Sequence, residues 1–392
     1  MRLLVLSFYY APDLSAGSFR TTALVAALRE RAPPGTEIDV VTTLPNRYRT
    51  FSSDAPEREI SGGTRILRIG LPAHRSDMWG QTRAFLRFAR MALRYVVHRD
   101  YDLVFATSSR LMTAALGALI ARRKSVRLYL DIRDIFVDTI GEVLPSIAAW
   151  PARRIFDPLE RWTMRRASRI NLVSRGFAEY FRARYPDRRL AWFTNGVDDE
   201  FVELAARPRT ATRRRGMRAV VLYAGNIGEG QALHRVVPAL ARALRDRAEF
   251  VVIGDGGRRA ALEAAIVGLD NVRLYPPIAR AELLAAYRTA DVLFLHLGAL
   301  AAFEKVLPSK IFEYGALGKP VLAGVAGFAA DFVRAEIDNA AVFAPCDVAA
   351  AAAAFATLEI ADRPRPAFVA KYARASIARA MADDVLAAAS GA

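Results

Sequence analysis

Residues 218–231 read RAVVLYAGNIGEGQ. An unbroken apolar run, AVVLY, is followed by a turn with glycines at 225, 228 and 230 and then by the start of an amphipathic stretch. A strand exposed on one face would alternate apolar and polar residues; a continuous run marks a strand covered on both faces. Strand, glycine turn and helix in that order form the repeating unit of a parallel sheet layered between helices. Reading outward, the pattern predicts strands at 249–253, 272–275, 291–295 and 320–323 and helices at 231–246, 258–267, 280–289 and 309–317. Upstream it predicts strands at 2–8, 37–42, 65–69, 102–106, 126–130 and 169–173 and helices at 18–31, 79–97, 110–123, 148–168 and 175–185. A long helix over 366–388 closes the chain. Residues 198–217 interrupt the alternation with charge, a proline and an arginine run, and read as a linker. The fold class is therefore α/β, with two doubly wound domains over 1–197 and 218–365.

Composition agrees. At roughly 100–200 residues per domain, a chain of 392 residues holds two or three domains. The single cysteine, Cys346, excludes a disulfide within the chain and fits a reducing compartment. The net charge is +16, and all but five of the 56 basic residues are arginines. Part of that bias reflects base composition; the remainder fits an anionic partner. No nucleic-acid-binding motif accompanies it, which leaves anionic lipid or a phosphorylated substrate. The N-terminal MRLLVLSFYYAPD is short, interrupted by Ser7 and followed by no clean cleavage site, so it reads as a buried first strand rather than a signal peptide. No run of about 18 apolar residues offers a membrane span.

Ligands of such sheets bind beyond the carboxyl ends of the strands, so the loops there carry the candidates. In the first loop, residues 9–20, Gly17 and Ser18 open a helix where backbone amides favour an anion. In the second, Asp131 and Asp134 bracket Arg133. Asp131 is read either as a group that binds or deprotonates a hydroxyl or as half of a structural Asp–Arg pair. The third loop, with Gly225, Asn226 and Gln231, lacks the dinucleotide fingerprint and a well-placed acid about 20 residues on, against a nicotinamide oxidoreductase. The fourth, residues 303–321, places Ser309 as a helix N-cap, Lys310 in the first turn and Glu313 one turn deeper. Lys310 there suits a diphosphate, and Glu313 suits the vicinal hydroxyls of a ribose. The plainer reading is a capped helix with an i, i+3 ion pair. The four histidines, 74, 98, 234 and 296, show no ligand spacing and no Asp-x-Asp pair occurs, so no metal or cofactor is expected. Finally, at about 100° per residue, Arg83, Arg87, Arg90 and Arg94 form one stripe opposite Phe85, Phe88, Ala92, Tyr95 and Val96. That describes a surface helix packing its apolar face, or one that also docks on anionic lipid.

The ordered series YYAPDLSAGSFRTTAL, TNGVD at 194–198, YAGNIGEGQAL, VVIGDGG, NVRLYPPI, ELLAAYRTADVLFL and PSKIFEYGALGKPVL resembles the family 4 glycosyltransferases over nearly the whole chain. It is closest to the bacterial subgroup that builds O-antigens, capsules and exopolysaccharides, including N-acetylfucosamine transferases. The resemblance implies the GT-B architecture, two Rossmann-like domains facing a central cleft. Residues 1–197 would be the acceptor side and 218–365 the donor domain, with 366–392 packing back toward the first domain. It implies transfer, with retention, from a nucleoside diphosphate-sugar, UDP-linked, to a polyprenyl-diphosphate-linked or glycan acceptor. The enzyme would be cytoplasmic and peripheral on the inner face of the membrane. Lys310 and Asp131 would be catalytic. Gly17, Ser18, Gly225, Asn226, Gln231, Lys305, Ser309, Lys310 and Glu313 would bind donor, and Asp131, Arg133 and Asp134 would face the acceptor. The chain departs from the family at several points. Lys305 stands where a first glutamate is usual, Asn226 and Gln231 stand where Arg and Lys hold the diphosphate, and the usual histidine near Asp131 and Arg133 is missing. A nucleotide-sugar epimerase of the same fold and an inactive nucleotide-sugar-binding scaffold remain as alternatives.

Overall fold

A computed structural model describes residues 1–13, 15–45, 55–72, 78–108, 111–138, 146–206 and 217–391. The chain divides into two compact units, Met1–Asn195 with Arg374–Ala392, and Gly196–Ala373.

The first unit is built on strands β1 (Arg2–Leu6), β2 (Glu37–Thr43), β3 (Arg58–Ser61), β4 (Thr64–Ile69), β5 (Leu103–Thr107), β6 (Arg127–Ile132), β7 (Arg169–Leu172) and β8 (Leu190–Ala191). They lie in the order β3-β4-β2-β1-β5-β6-β7-β8. All neighbours are parallel except the edge strand β3, which runs antiparallel to β4. Leu3, Leu4, Val5 and Leu6 are all buried, as the unbroken apolar run requires. The strand order reverses between β1 and β5, so the loops after these two strands diverge and leave a crevice at the carboxyl edge. Helix α1 (Ala16–Arg31) follows β1, with the Ser15 side chain accepting from the Ser18 amide. Helices α2 (Met78–Val96), α3 (Leu111–Lys124) and α4 (Ser146–Arg166) then make the crossovers β4→β5, β5→β6 and β6→β7.

The second unit has strands β9 (Ala219–Ala224), β10 (Ala248–Ile253), β11 (Val272–Tyr275), β12 (Val292–His296), β13 (Val321–Gly324) and β14 (Ala340–Phe343), all parallel, in the order β11-β10-β9-β12-β13-β14. Its reversal falls between β9 and β12. The loop after β9 is the turn with glycines at 225, 228 and 230.

Two expected boundaries move. Of the linker placed at 198–217, Asp199–Ala206 is a helix with Phe201 fully buried; residues 207–216 lie outside the described residues. The single C-terminal helix expected over 366–388 is two helices, Pro366–Tyr372 in the second unit and Arg374–Ser390 in the first. Ala373 leaves helical geometry (φ −55, ψ 120), and the Val197 amide donates to the Tyr372 carbonyl at 2.8 Å, so the chain is pinned where it changes unit. Helix Arg374–Ser390 buries Ala378, Met381, Ala382 and Val385 against Leu24, Val25 and Leu28 of α1.

Candidate active site

In the second unit the turn after β9 packs directly on its neighbours. A side chain at Gly254 would collide with the Gly225 carbonyl, so two backbone turns touch here and only glycine fits. A side chain at Gly225 would meet the Lys310 stem, and its Cβ would lie 3.2 Å from Nζ. The Lys310 ammonium is therefore held over the glycine turn, as a charge facing a turn-bound phosphate must be. Lys310 opens the helix Lys310–Ala316. Ser309 stands at the N-cap position, but it is already helical (φ −59, ψ −29) and its hydroxyl caps nothing, contrary to the cap expected. Glu313, on the next turn, lies 4.0 Å from Lys310 Nζ and accepts a long hydrogen bond, 3.4 Å, from the Tyr287 hydroxyl. Burial lowers the Lys310 pKa; Glu313 opposes that shift and the Arg280 cation adds to it. A cation largely out of water, with its ion pair to Glu313 as long as 4.0 Å, gains from a bound anion.

Asn226 and Gln231 are turned toward each other: Asn226 Nδ2 donates to Gln231 Oε1 at 2.7 Å, and the Gly228 amide donates to the same oxygen at 3.3 Å. The two amides thus brace the turn from inside. The Gly228 contact fixes Oε1 inward, so the Gln231 Nε2 group is the end left to face a ligand. Lys305 ends the short turn Ala301–Lys305, whose Phe303 ring comes within 2.9 Å of a Gly230 Cβ position. His296 is fully buried at the end of β12. Its Nδ1 lies 2.8 Å from the Gln231 carbonyl, and its Nε2 accepts from the Cys346 amide at 2.9 Å. These contacts set the neutral Nδ1–H tautomer, and burial pushes the ring's pKa down to about 4. The ring ties the glycine turn to the loop after β14. The sequence shows only that His296 lacks ligand spacing; this tie is not legible there, because its two partners are backbone groups.

In the first unit Asp131, expected to be catalytic, lies in a buried ion pair. The carboxylate is 1% exposed and is gripped by Arg20, itself 5% exposed: Nε to Oδ2 at 2.8 Å and Nη2 to Oδ1 at 2.9 Å. Asn171 Nδ2 adds a third bond at 2.7 Å. Arg20 also donates to the carbonyls of Phe193 (2.7 Å) and Thr194 (2.6 Å). A carboxylate so occupied locks α1, β6, β7 and the 193–194 segment together. It is not a free base, and its partner is Arg20 rather than the adjacent Arg133. Arg133 instead lies against Gly17 at the start of α1, where a side chain on residue 17 would displace its guanidinium. Its own amide donates to Ser108 Oγ at 3.0 Å. The geometry thus brings Gly17, Ser18 and Arg133 to one place; Asp134 beside them is exposed. On α2, Arg83, Arg87, Arg90 and Arg94 are all exposed, while Phe85, Phe88, Ala92 and Val96 are buried. Tyr95 is half-buried, with Arg99 4.2 Å above its ring.

Two parallel-sheet Rossmann-like units, each with its loops gathered where the strand order reverses, define the class: a glycosyltransferase of GT-B type. The chain belongs to the glycosyltransferases whose first domain is glycosyl transferase 4-like, matched over residues 17–196, and whose second is of glycosyl transferases group 1, matched over 207–376. It is 26% identical over 344 residues to WcaI of Escherichia coli (strain K12), by name a colanic acid biosynthesis glycosyl transferase, covering 81% of this chain and 82% of that one. It is 27% identical over 357 residues to the D-inositol 3-phosphate glycosyltransferase of Kineococcus radiotolerans, covering 83% and 78%. Its fold is similar to that of sucrose-phosphate synthase from Thermosynechococcus elongatus, with a TM-score of 0.68 at 15% identity over 99% of this chain and 96% of that one.

Proposed function

We propose that this glycosyltransferase moves a sugar from a nucleoside diphosphate-sugar, UDP-linked, to a lipid-linked or glycan acceptor in cell-surface polysaccharide synthesis, with retention at the anomeric carbon. The observation that carries the reading is Lys310 held over Gly225 with Glu313 one turn deeper. That arrangement supports a cation at the diphosphate and a carboxylate at the ribose hydroxyls. The bond from the anomeric carbon to the diphosphate oxygen breaks, and negative charge grows on the leaving group. The Lys310 ammonium, the Gln231 amide and the turn's backbone N–H groups stabilise that charge without having to reorganise. The acceptor hydroxyl then bonds to the same carbon. Because Asp131 is locked to Arg20, the acceptor hydroxyl gives its proton to the departing diphosphate, which lies on the same face when configuration is retained. Gly17 and Ser18 serve the donor, and Arg133 and Asp134 the acceptor side. The likeness to the colanic acid protein supports a cell-envelope polysaccharide as the product. The exposed arginine stripe of α2 supports docking on the anionic inner face of the cytoplasmic membrane; no helix among the described residues is long and apolar enough to cross it.

Incubation with radiolabelled nucleotide-sugars and a bacterial lipid extract tests the reading. Label transferred to lipid is the expected result, and it persists in EDTA because protein groups supply the charge. Isomerised donor would mean an epimerase, and unchanged donor an inactive scaffold. Transfer abolished by EDTA and restored by magnesium would overturn the metal-free site.

A further inference from the structure

The three crossovers β4→β5, β5→β6 and β6→β7 all advance in the same direction across the first unit's sheet. Right-handed connections therefore put α2, α3 and α4 on one face, with α1 on the other. Helix α3 lies between α2 and α4, touching both, and most of its residues are buried. The outward surface of this face is thus supplied by α2 and α4.

That surface combines cations with apolar side chains that protrude singly. On α2, Arg83, Arg87, Arg90 and Arg94 line an open groove of about 560 Å³ together with Pro72, Leu86 and Met91. Leu86 is 61% exposed, and among the described residues none of the four arginines pairs with a carboxylate. On α4, Trp150 is 66% and Ile155 65% exposed, and the Arg154 guanidinium sits 4.9 Å from the Trp150 ring centre. Arg153, Arg165 and Arg166 are exposed on the same helix. Trp162 on the same helix is half-buried, so Trp150 is the one that faces out. A nucleic acid would need only the cations. A Trp with an arginine over its ring and an exposed Ile on the same helix, together with the exposed Leu and Met of α2, is suited to a bilayer interface, where the ring sits at headgroup depth and the cations meet lipid phosphates.

We infer that α4 is the second half of a two-helix membrane dock: Trp150 and Ile155 enter the headgroup layer of an anionic bilayer while the arginines of α2 and α4 bind its phosphates. The inference rests on the reading that the acceptor is lipid-borne, and it assigns to α4 an insertion role that an electrostatic stripe on α2 alone would not have.

The test uses the full chain with phosphatidylcholine vesicles, with and without phosphatidylglycerol, some carrying lipids brominated near the top of the acyl chain. The wild type is expected to sediment with the anionic vesicles and to lose tryptophan emission to the brominated lipid. Trp150→Phe should remove most of that quenching. Trp150→Ala with Ile155→Ser should weaken partitioning about tenfold while the thermal melt is unchanged, since both side chains are exposed. Equal quenching in Trp150→Phe, or unchanged partitioning of the double variant, overturns the inference. So does a wild type that fails to sediment at low salt, and if that protein still glycosylates lipid in detergent, the transfer reading survives. A protein that docks through Trp150 but transfers nothing supports the dock and defeats the transfer reading.

Discussion

Replacing Asp131 by Asn separates a structural carboxylate from a catalytic one. The change keeps the volume and one acceptor oxygen but removes the charge that holds Arg20. With Arg20 5% exposed and Asp131 1% exposed, the guanidinium is left in the interior without its counter-ion. Breaking a buried pair from one side costs about 3–5 kcal/mol. The carbonyls of Phe193 and Thr194 keep two of the Arg20 bonds, which places the loss toward the lower end, about 3 kcal/mol. The molecule provides a local reporter, because its four tryptophans, at 79, 150, 162 and 192, all belong to the first unit. Urea unfolding followed by tryptophan emission therefore reads that unit, without added salt to screen the pair. The emission transition should move to lower urea by an amount equivalent to about 3 kcal/mol. Nucleotide binding by the second unit should be unchanged at low temperature. Replacing both partners, Arg20→Met with Asp131→Leu, should recover part of the loss, since no charge is then stranded. An Asp131→Asn protein of wild-type stability that has lost a hundredfold or more in turnover would refute the reasoning and make Asp131 a base.

Glu313→Ala should weaken nucleoside diphosphate binding about tenfold or more, since a charged acceptor for the ribose hydroxyls is worth about 1.5–3 kcal/mol; near-normal affinity by calorimetry would remove Glu313 from the donor site. His296 makes acid stability of the second unit a further check. Its folded pKa is about 4, against an ordinary 6.5. The unfolded chain therefore binds the extra proton first, and the stabilisation present above about pH 6.5 is lost as pH falls toward about 4, by up to about 3 kcal/mol. Scanning calorimetry should show that slope in the wild type and a flatter one in His296→Asn; identical slopes would assign the acid sensitivity elsewhere.

The parallel strands were legible because burial on both faces writes itself as unbroken apolar runs such as LLVL and VVLY. Two of the elements that escaped notice lack that contrast. Strand β3, REIS, is an exposed edge whose residues are mostly polar. The helix Val348–Thr357, VAAAAAAFAT, offers no apolar stripe against a polar face, because alanine fits either. The break at Ala373 has no glycine or proline to announce it. At the site, the glycine turn, Lys310 and Glu313 were legible because each lies within one local stretch. The Arg20–Asp131 pair joins residues 111 apart, and only the fold brings α1 and β6 together. The open alternative of a structural Asp–Arg pair was right in kind and wrong in partner. The helix expected at 148–168 is continuous as Ser146–Arg166, with prolines 151 and 158 inside it.

The central claim is that Lys310 carries charge that develops on a departing diphosphate. Steady-state kinetics of Lys310→Ala, with the donor identified in the transfer assay, test it most directly. An interaction that strengthens in the transition state shows in turnover, so kcat should fall by far more than KM rises. A kcat left at the wild-type value, whether or not KM changes, would contradict the account.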